Sequence, residues 1–228
     1  TQRNHTQTRC KQFKKPLNPT ISPVNKLILL HLLNNQNLKK KTLIFTVQHT
    51  CQKNGGMDFV LENAPFHSEY DLEKGKKPFM GAGYYFWEYN LDYAKVWGKN
   101  HYKNAYFIVE SEIVIDDDSL YLDLAGNREH LVGFVELLKE FELIDEIGTQ
   151  GIDLCYIISY LRDEFPEEVF PFKVIRAVDY KNNETSGIKI AFNDNMKSYT
   201  ILNPRIIISY KNKEDIVYNK KPFLKFAV

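Results

Sequence analysis

From residue 42 onward the chain sets short runs of β-branched and aromatic residues on both flanks of two longer stretches with helical spacing, and that arrangement limits the fold more than any other feature. Residues 42–50 form a strand-length run. Gly55 and Gly56 then break the chain before residues 57–66, where Met57, Phe59, Val60 and Leu61 predict a short helix. Residues 102–115 read as one long strand, 116–119 as a turn and 120–124 as another strand. Residues 131–144 and 152–165 carry apolar side chains at helical spacing, and Pro166 closes the second stretch. Strand-type runs return at 170–180, 188–192, 198–202 and 206–210. Strands at both ends with helices inserted between them predict the α+β class with a largely antiparallel sheet.

Composition matters here for what it excludes. With 228 residues, 43% of them hydrophobic, the chain can bury a sizeable core as one large domain or two small ones. A formal net charge of +1 provides no global field to draw it onto nucleic acid or an anionic membrane, so any such partner must meet a local patch. Such a patch exists in the sequence. Residues 1–41 hold Lys and Arg but no Asp or Glu, which leaves the remainder acidic. Up to Val24 this segment is rich in Thr, Gln, Asn and Pro, so a flexible basic arm followed by a short helix is expected, with the main domain spanning 42–228. An arm of this kind is either a frayed tail or a binder of RNA, DNA or an acidic partner chain. Cys10, Cys51 and Cys155 are odd in number and widely spaced, which argues against a disulfide framework or a structural zinc site and for a reducing, cytoplasmic setting. The longest apolar run, residues 27–33, is too short to span a bilayer, so no membrane partner is expected.

Gly81 to Asn90, GAGYYFWEYN, is the stretch most suggestive of a site. Two glycines around one residue let a backbone bend tightly and approach a ligand where a Cβ would collide. The aromatic faces that follow offer flat surfaces for a planar heterocycle. Either a slot for a ring or a tight turn leading into a buried aromatic strand would give this pattern. It is not a dinucleotide fingerprint, since the third glycine of G-x-G-x-x-G is replaced by Phe86.

Gly81-Ala82-Gly83-Tyr84-Tyr85-Phe86, followed after a short loop by Ala94 and Trp97, resembles the G-x-G-x-Y-F element and succeeding helix of ADP-ribosyltransferases of the diphtheria-toxin and poly-ADP-ribose polymerase branch. Upstream, His49-Thr50 at the end of a strand is similar to the H-G-T or H-T element of that family. The resemblance covers roughly residues 42–212. It implies split antiparallel sheets with a helical insertion around a central cleft for NAD, the cosubstrate. In that family the strand histidine bonds ribose hydroxyls, which carries over to His49, and a tyrosine packs on nicotinamide, which carries over to Tyr85. Thr50, Gly81 and Gly83 would line the same cleft. Tyr84 would face the other side of the strand.

The implied reaction expels nicotinamide through an oxocarbenium-like state and delivers ADP-ribose to a protein or nucleic-acid acceptor. Small stand-alone bacterial members are often toxins in toxin–antitoxin or phage-defence systems, so an antitoxin is a further expected partner of the arm. The alternatives are hydrolysis of NAD and a catalytically inactive module binding NAD, ADP-ribose or nucleic acid.

Many members place a glutamate on a late strand to stabilise the developing cation. Here the corresponding slot falls near residues 193–199, where no glutamate stands, and Asp194 is the nearest carboxylate, with Asn195 and Ser198 as neutral substitutes. Glu110 and Glu112, two apart on one strand and projecting to one face, are the other candidates. Arg176 within an apolar strand is either one half of a structural ion pair or a clamp on the pyrophosphate. His67, His101 and His130 sit among polar residues and read as surface positions, Cys51 as a poor nucleophile, and Trp87 and Trp97 as core.

Overall fold

A computed structural model describes residues 42–71, 75–103, 105–116, 120–144, 153–179, 188–192 and 199–228. The basic segment 1–41 and the candidates Asp194, Asn195 and Ser198 lie outside the described residues.

The β-branched and aromatic runs form strands β1 (Leu43–Gln52), β3 (Gly83–Glu88), β4 (Tyr106–Ile115), β5 (Tyr121–Leu124), β6 (Val174–Val178), β7 (Ile188–Ala191), β8 (Tyr199–Leu202), β9 (Ile206–Tyr210) and β10 (Val217–Ala227); a two-residue β2 (His67–Ser68) joins them. Among the described residues there are four α-helices, α1 (Gly56–Asn63), α2 (Leu91–Tyr102), α3 (Arg128–Glu140) and α4 (Leu154–Glu164). The last three begin at polar caps. Asn90, Asn127 and Asp153 accept from main-chain N–H groups of the first turn that would otherwise be orphaned.

The main sheet runs β10-β4-β1-β3-β9-β6-β5, with β2 attached to β3. Its pairs are antiparallel except β5 with β6. Strands β7 and β8 form a separate hairpin. The sheet is open, ending at β10 and β5, so the architecture is mixed α+β and not a closed barrel. Among the described residues no helix is long and apolar enough to cross a membrane.

Side-chain alternation gives the sheet two apolar faces. On one, Trp87, Ile108, Leu122, Ile175 and Ile207 pack against Phe134 and Leu137 of α3 and Ile158 and Leu161 of α4. On the other, Val47, Phe86, Ile113, Val174, Ile208 and Tyr210 form a second cluster closed by Ile216. Each fully buried aliphatic or aromatic side chain contributes roughly 1.5–3 kcal/mol of transfer free energy. Tyr85 and Trp87 therefore belong to the helix-covered face, Tyr84 and Phe86 to its opposite.

Two expectations need correction. Residues 102–115 are not one strand, because α2 continues through Tyr102 and β4 starts only at Tyr106. The sheet also extends past residue 212 through β10, an edge strand whose register shifts between Tyr218 and Lys220, Lys220 and Phe223, and Leu224 and Phe226. Pro222 lies within the second shift, where a missing N–H costs the ladder nothing.

Candidate functional site at a strand split

Strands β1 and β3 are paired for only two residues, Val47 with Glu88 and Gln48 with Trp87. Beyond that point β1 stays with β4 as far as Gln52, while β3 pairs with β2 through His67–Tyr84 and Ser68–Gly83. The two strands therefore separate where His49, Thr50 and Tyr85 sit. Continued pairing would bring Thr50 opposite Tyr85. Instead, His49 Nδ1 donates to the Tyr85 carbonyl at 2.9 Å and the Phe66 N–H donates to His49 Nε2 at 3.1 Å.

These two bonds fix the neutral tautomer with its proton on Nδ1. His49 is 8% exposed, with the Phe66 and Phe86 rings each 6.0 Å away. Burial lowers its pKa to about 4, the Tyr85 carbonyl opposes that shift, and the charge of Lys213 adds to it. A hydrogen bond to ribose needs a ring nitrogen, and here both are engaged by main chain. The adjacent Thr50, also buried, donates its hydroxyl to the Ala94 carbonyl of α2 at 3.1 Å.

Tyr85 is half-buried on the helix side, its ring 6.3 Å from that of Phe79. Its hydroxyl accepts from the Met80 N–H at 2.9 Å and donates to the Gly81 carbonyl. Burial pushes its pKa up to about 12, against the lowering effect of the Met80 bond. The ring is thus held at both ends, through its own carbonyl by His49 and through its hydroxyl by the 80–81 turn. Tyr84 projects the other way, 5.0 Å from His67.

Both glycines of the motif have a steric reason. Gly81 adopts φ +79°, and a Cβ there would sit 2.9 Å from Ser159 Oγ. At Gly83 a Cβ would lie 2.5 Å from the Tyr210 carbonyl oxygen, so the approach of β9 requires glycine.

Arg176 follows the ion-pair alternative. Its Nε and Nη2 meet the two Glu88 oxygens at 2.5 and 2.9 Å, and Nη1 meets Asp123 at 2.9 Å. Burial works against the charge, but the Glu88 carboxylate, with Tyr121 and Asp123, holds the guanidinium above its ordinary range. Glu110 accepts from Gln48 at 2.9 Å and Lys225 at 3.0 Å, and Glu112 from Asn219 at 2.8 Å.

His67 and His101 are exposed, as expected, but His130 is not a surface residue. It is 5% exposed, and its Nδ1 accepts the Asp123 N–H at 2.9 Å, a packing that its charged neighbours conceal in the sequence. Cys51 is buried and its thiol is pushed up to about 12, leaving little thiolate. Trp87 is buried and Trp97 packs against the same core.

Three further residues were not singled out by the sequence reading. Arg205 at the entry to β9 pairs with Asp179 and lies 5.4 Å from the Tyr93 ring. Arg162 and Ser209 approach the Gly81–Gly83 turn. A buried Ser in the strand IIISY was the only available signal, since the Arg162 position gives no periodic cue. Comparison with known protein families, curated proteins and solved structures finds no match for this chain.

Proposed function

We propose that the chain holds NAD at the split between β1 and β3, releases nicotinamide and transfers ADP-ribose to a macromolecular acceptor. The observation that carries this reading is that His49 and Tyr85 lie on neighbouring strands at the point where those strands part, joined by the His49–Tyr85 hydrogen bond. A separated pair of strands can wall a cleft that a continuous ladder would close. In this geometry His49 positions Tyr85 rather than touching ribose. Tyr85 presents its ring as a platform for the pyridinium, already fixed before the ligand arrives.

The chemistry proposed is cleavage of the bond between ribose C1′ and the nicotinamide nitrogen. The bonding pair leaves with nicotinamide, and an acceptor oxygen or nitrogen attacks C1′ and loses its proton. A carboxylate near the developing cation would lower the barrier, and Asp194 remains the proposed group. A toxin role in a toxin–antitoxin or phage-defence system belongs to the same proposal.

A second reading, an NAD or ADP-ribose binding module without chemistry, is favoured by one observation. Both ring nitrogens of His49 are occupied, and among the described residues the carboxylates nearest the split are paired with Arg176, Gln48 or Lys225. Incubation of the full chain with NAD labelled on the adenylate phosphate, in lysate treated with nuclease or protease, separates the readings. Label retained on protein or nucleic acid supports the transferase. Free labelled ADP-ribose indicates hydrolysis, and intact NAD under all conditions leaves only the binding module.

A further inference from the structure

Side-chain alternation puts Ile44, Thr46, Gln48 and Thr50 of β1 on the helix-covered face of the sheet, opposite Val114, Glu112, Glu110 and Ile108 of β4. Helix α2 covers one end of that face, where Thr50 donates to the Ala94 carbonyl and the Tyr106 ring packs under Gly98. Farther along, Gln48 donates to Glu110, and Asn219 to Glu112. Past these pairs the face turns apolar again. Ile44 lies across from Val114, and Val114 across from Val217 of the edge strand β10. Ile44 is 55% and Val217 54% exposed, Val114 is half-buried, and none of the three joins a core cluster of the described residues. A lone exposed aliphatic residue is ordinary on a protein surface, whereas three in register across three strands make a continuous strip suited to a cover.

The chain itself carries a fitting cover. Residues 27–33 hold six aliphatic side chains around His31, and the short helix expected there would be hydrophobic on nearly every side, which requires an apolar surface to bury it. Nine residues, 34–42, separate this run from Leu43. Fully extended they span roughly 30 Å, while the strip is about 10 Å across, two strand spacings, so the run can turn back onto it. Charge sets the direction. Lys39, Lys40 and Lys41 lead into β1, Asp116, Asp117 and Asp118 follow β4, and Leu43 pairs with Ile115 between the two runs. Their attraction draws the incoming chain toward β4 and β10, away from β3.

We infer that residues 27–33 lie across the Ile44–Val114–Val217 strip and fasten the basic segment to the end of β1 away from the His49–Tyr85 split. This docking does not depend on the NAD reading. The test is cross-linking of the full chain carrying Cys10→Ser, in which the remaining cysteines, Cys51 and Cys155, are buried. With Leu30→Cys added, a short bismaleimide should join that position to Val217→Cys at least about tenfold faster than to Val132→Cys, a control 42% exposed on α3. Adding Leu29→Asp and Leu32→Asp should abolish the preference.

Equal rates for the two pairs, or a preference that survives both Asp substitutions, would overturn the assignment. Cross-links that form only between chains would also overturn it and give the strip to a second copy. Should Val217→Cys not fold, Ile44→Cys carries the same comparison.

Discussion

At the scale of single residues, His49 does most to define the site, and its burial has a measurable consequence. Unfolded, its pKa is about 6.5; folded, it is about 4, so the unfolded chain binds the extra proton between these values. The stability linked to His49 is fully present above about pH 6.5 and is lost as pH falls toward about 4, roughly 3 kcal/mol in all. Urea unfolding of the parent and His49→Gln between pH 7 and pH 4 should show a shallower dependence in the variant by about that amount. Parallel curves would mean that the imidazole is not buried neutral. Gly83 gives a second residue-scale prediction. A methyl group there meets the Tyr210 carbonyl at 2.5 Å, so Gly83→Ala should destabilise by about 1–3 kcal/mol through forced separation of β3 and β9. An unchanged urea midpoint would contradict the close approach of the two strands.

At the scale of elements, the Glu88–Arg176–Asp123 cluster ties β3, β6 and β5 together, with Phe45 of β1 lying 5.6 Å from the guanidinium carbon. Arg176→Met would leave the mostly buried Glu88 carboxylate without its ion-pair partner and Asp123 with only the Ala125 and Gly126 N–H groups, and should cost roughly 3–5 kcal/mol, whereas Arg176→Met with Glu88→Gln should recover part of that loss. A single variant as stable as the parent by chemical denaturation would refute the structural role. Most of these elements were legible in the sequence because their side chains repeat with period 2 or 3.6. The strands β1, β6 and β9 and the helices α3 and α4 overlap the runs that predicted them. Strand β10 was not legible, since Asn219, Lys220, Lys221 and Pro222 interrupt its alternation at an edge where water replaces half the ladder. Tyr102 was misplaced because aromatic residues suit a strand as well as the end of a helix. At the site, the order of the His49 strand, a helix and the Tyr85 strand could be read from the sequence, but not that the two strands are neighbours. The occupation of both His49 nitrogens could not be read either, because the partners are main-chain groups of Tyr85 and Phe66, which residue identity does not encode.

At the scale of the whole molecule, the sheet-and-helix body supplies the proposed NAD site, and the basic segment 1–41 is the proposed route to a nucleic-acid acceptor or an acidic partner. These proposed roles separate experimentally, because the proposed NAD cleavage would depend on the split and the proposed acceptor contact on segment 1–41. The central claim is that Tyr85, held by His49 and the 80–81 turn, is a platform for the nicotinamide ring of NAD. Its most direct test is the rate of nicotinamide release from NAD by the parent, Tyr85→Phe and Tyr85→Ala, with folding of each checked by thermal unfolding. The account predicts release by the parent, partial retention in Tyr85→Phe, which keeps the ring but loses the hydroxyl anchors, and a loss of at least about a hundredfold in Tyr85→Ala. Equal rates in all three proteins, or no release by the parent in the presence of an acceptor-containing lysate, would contradict it.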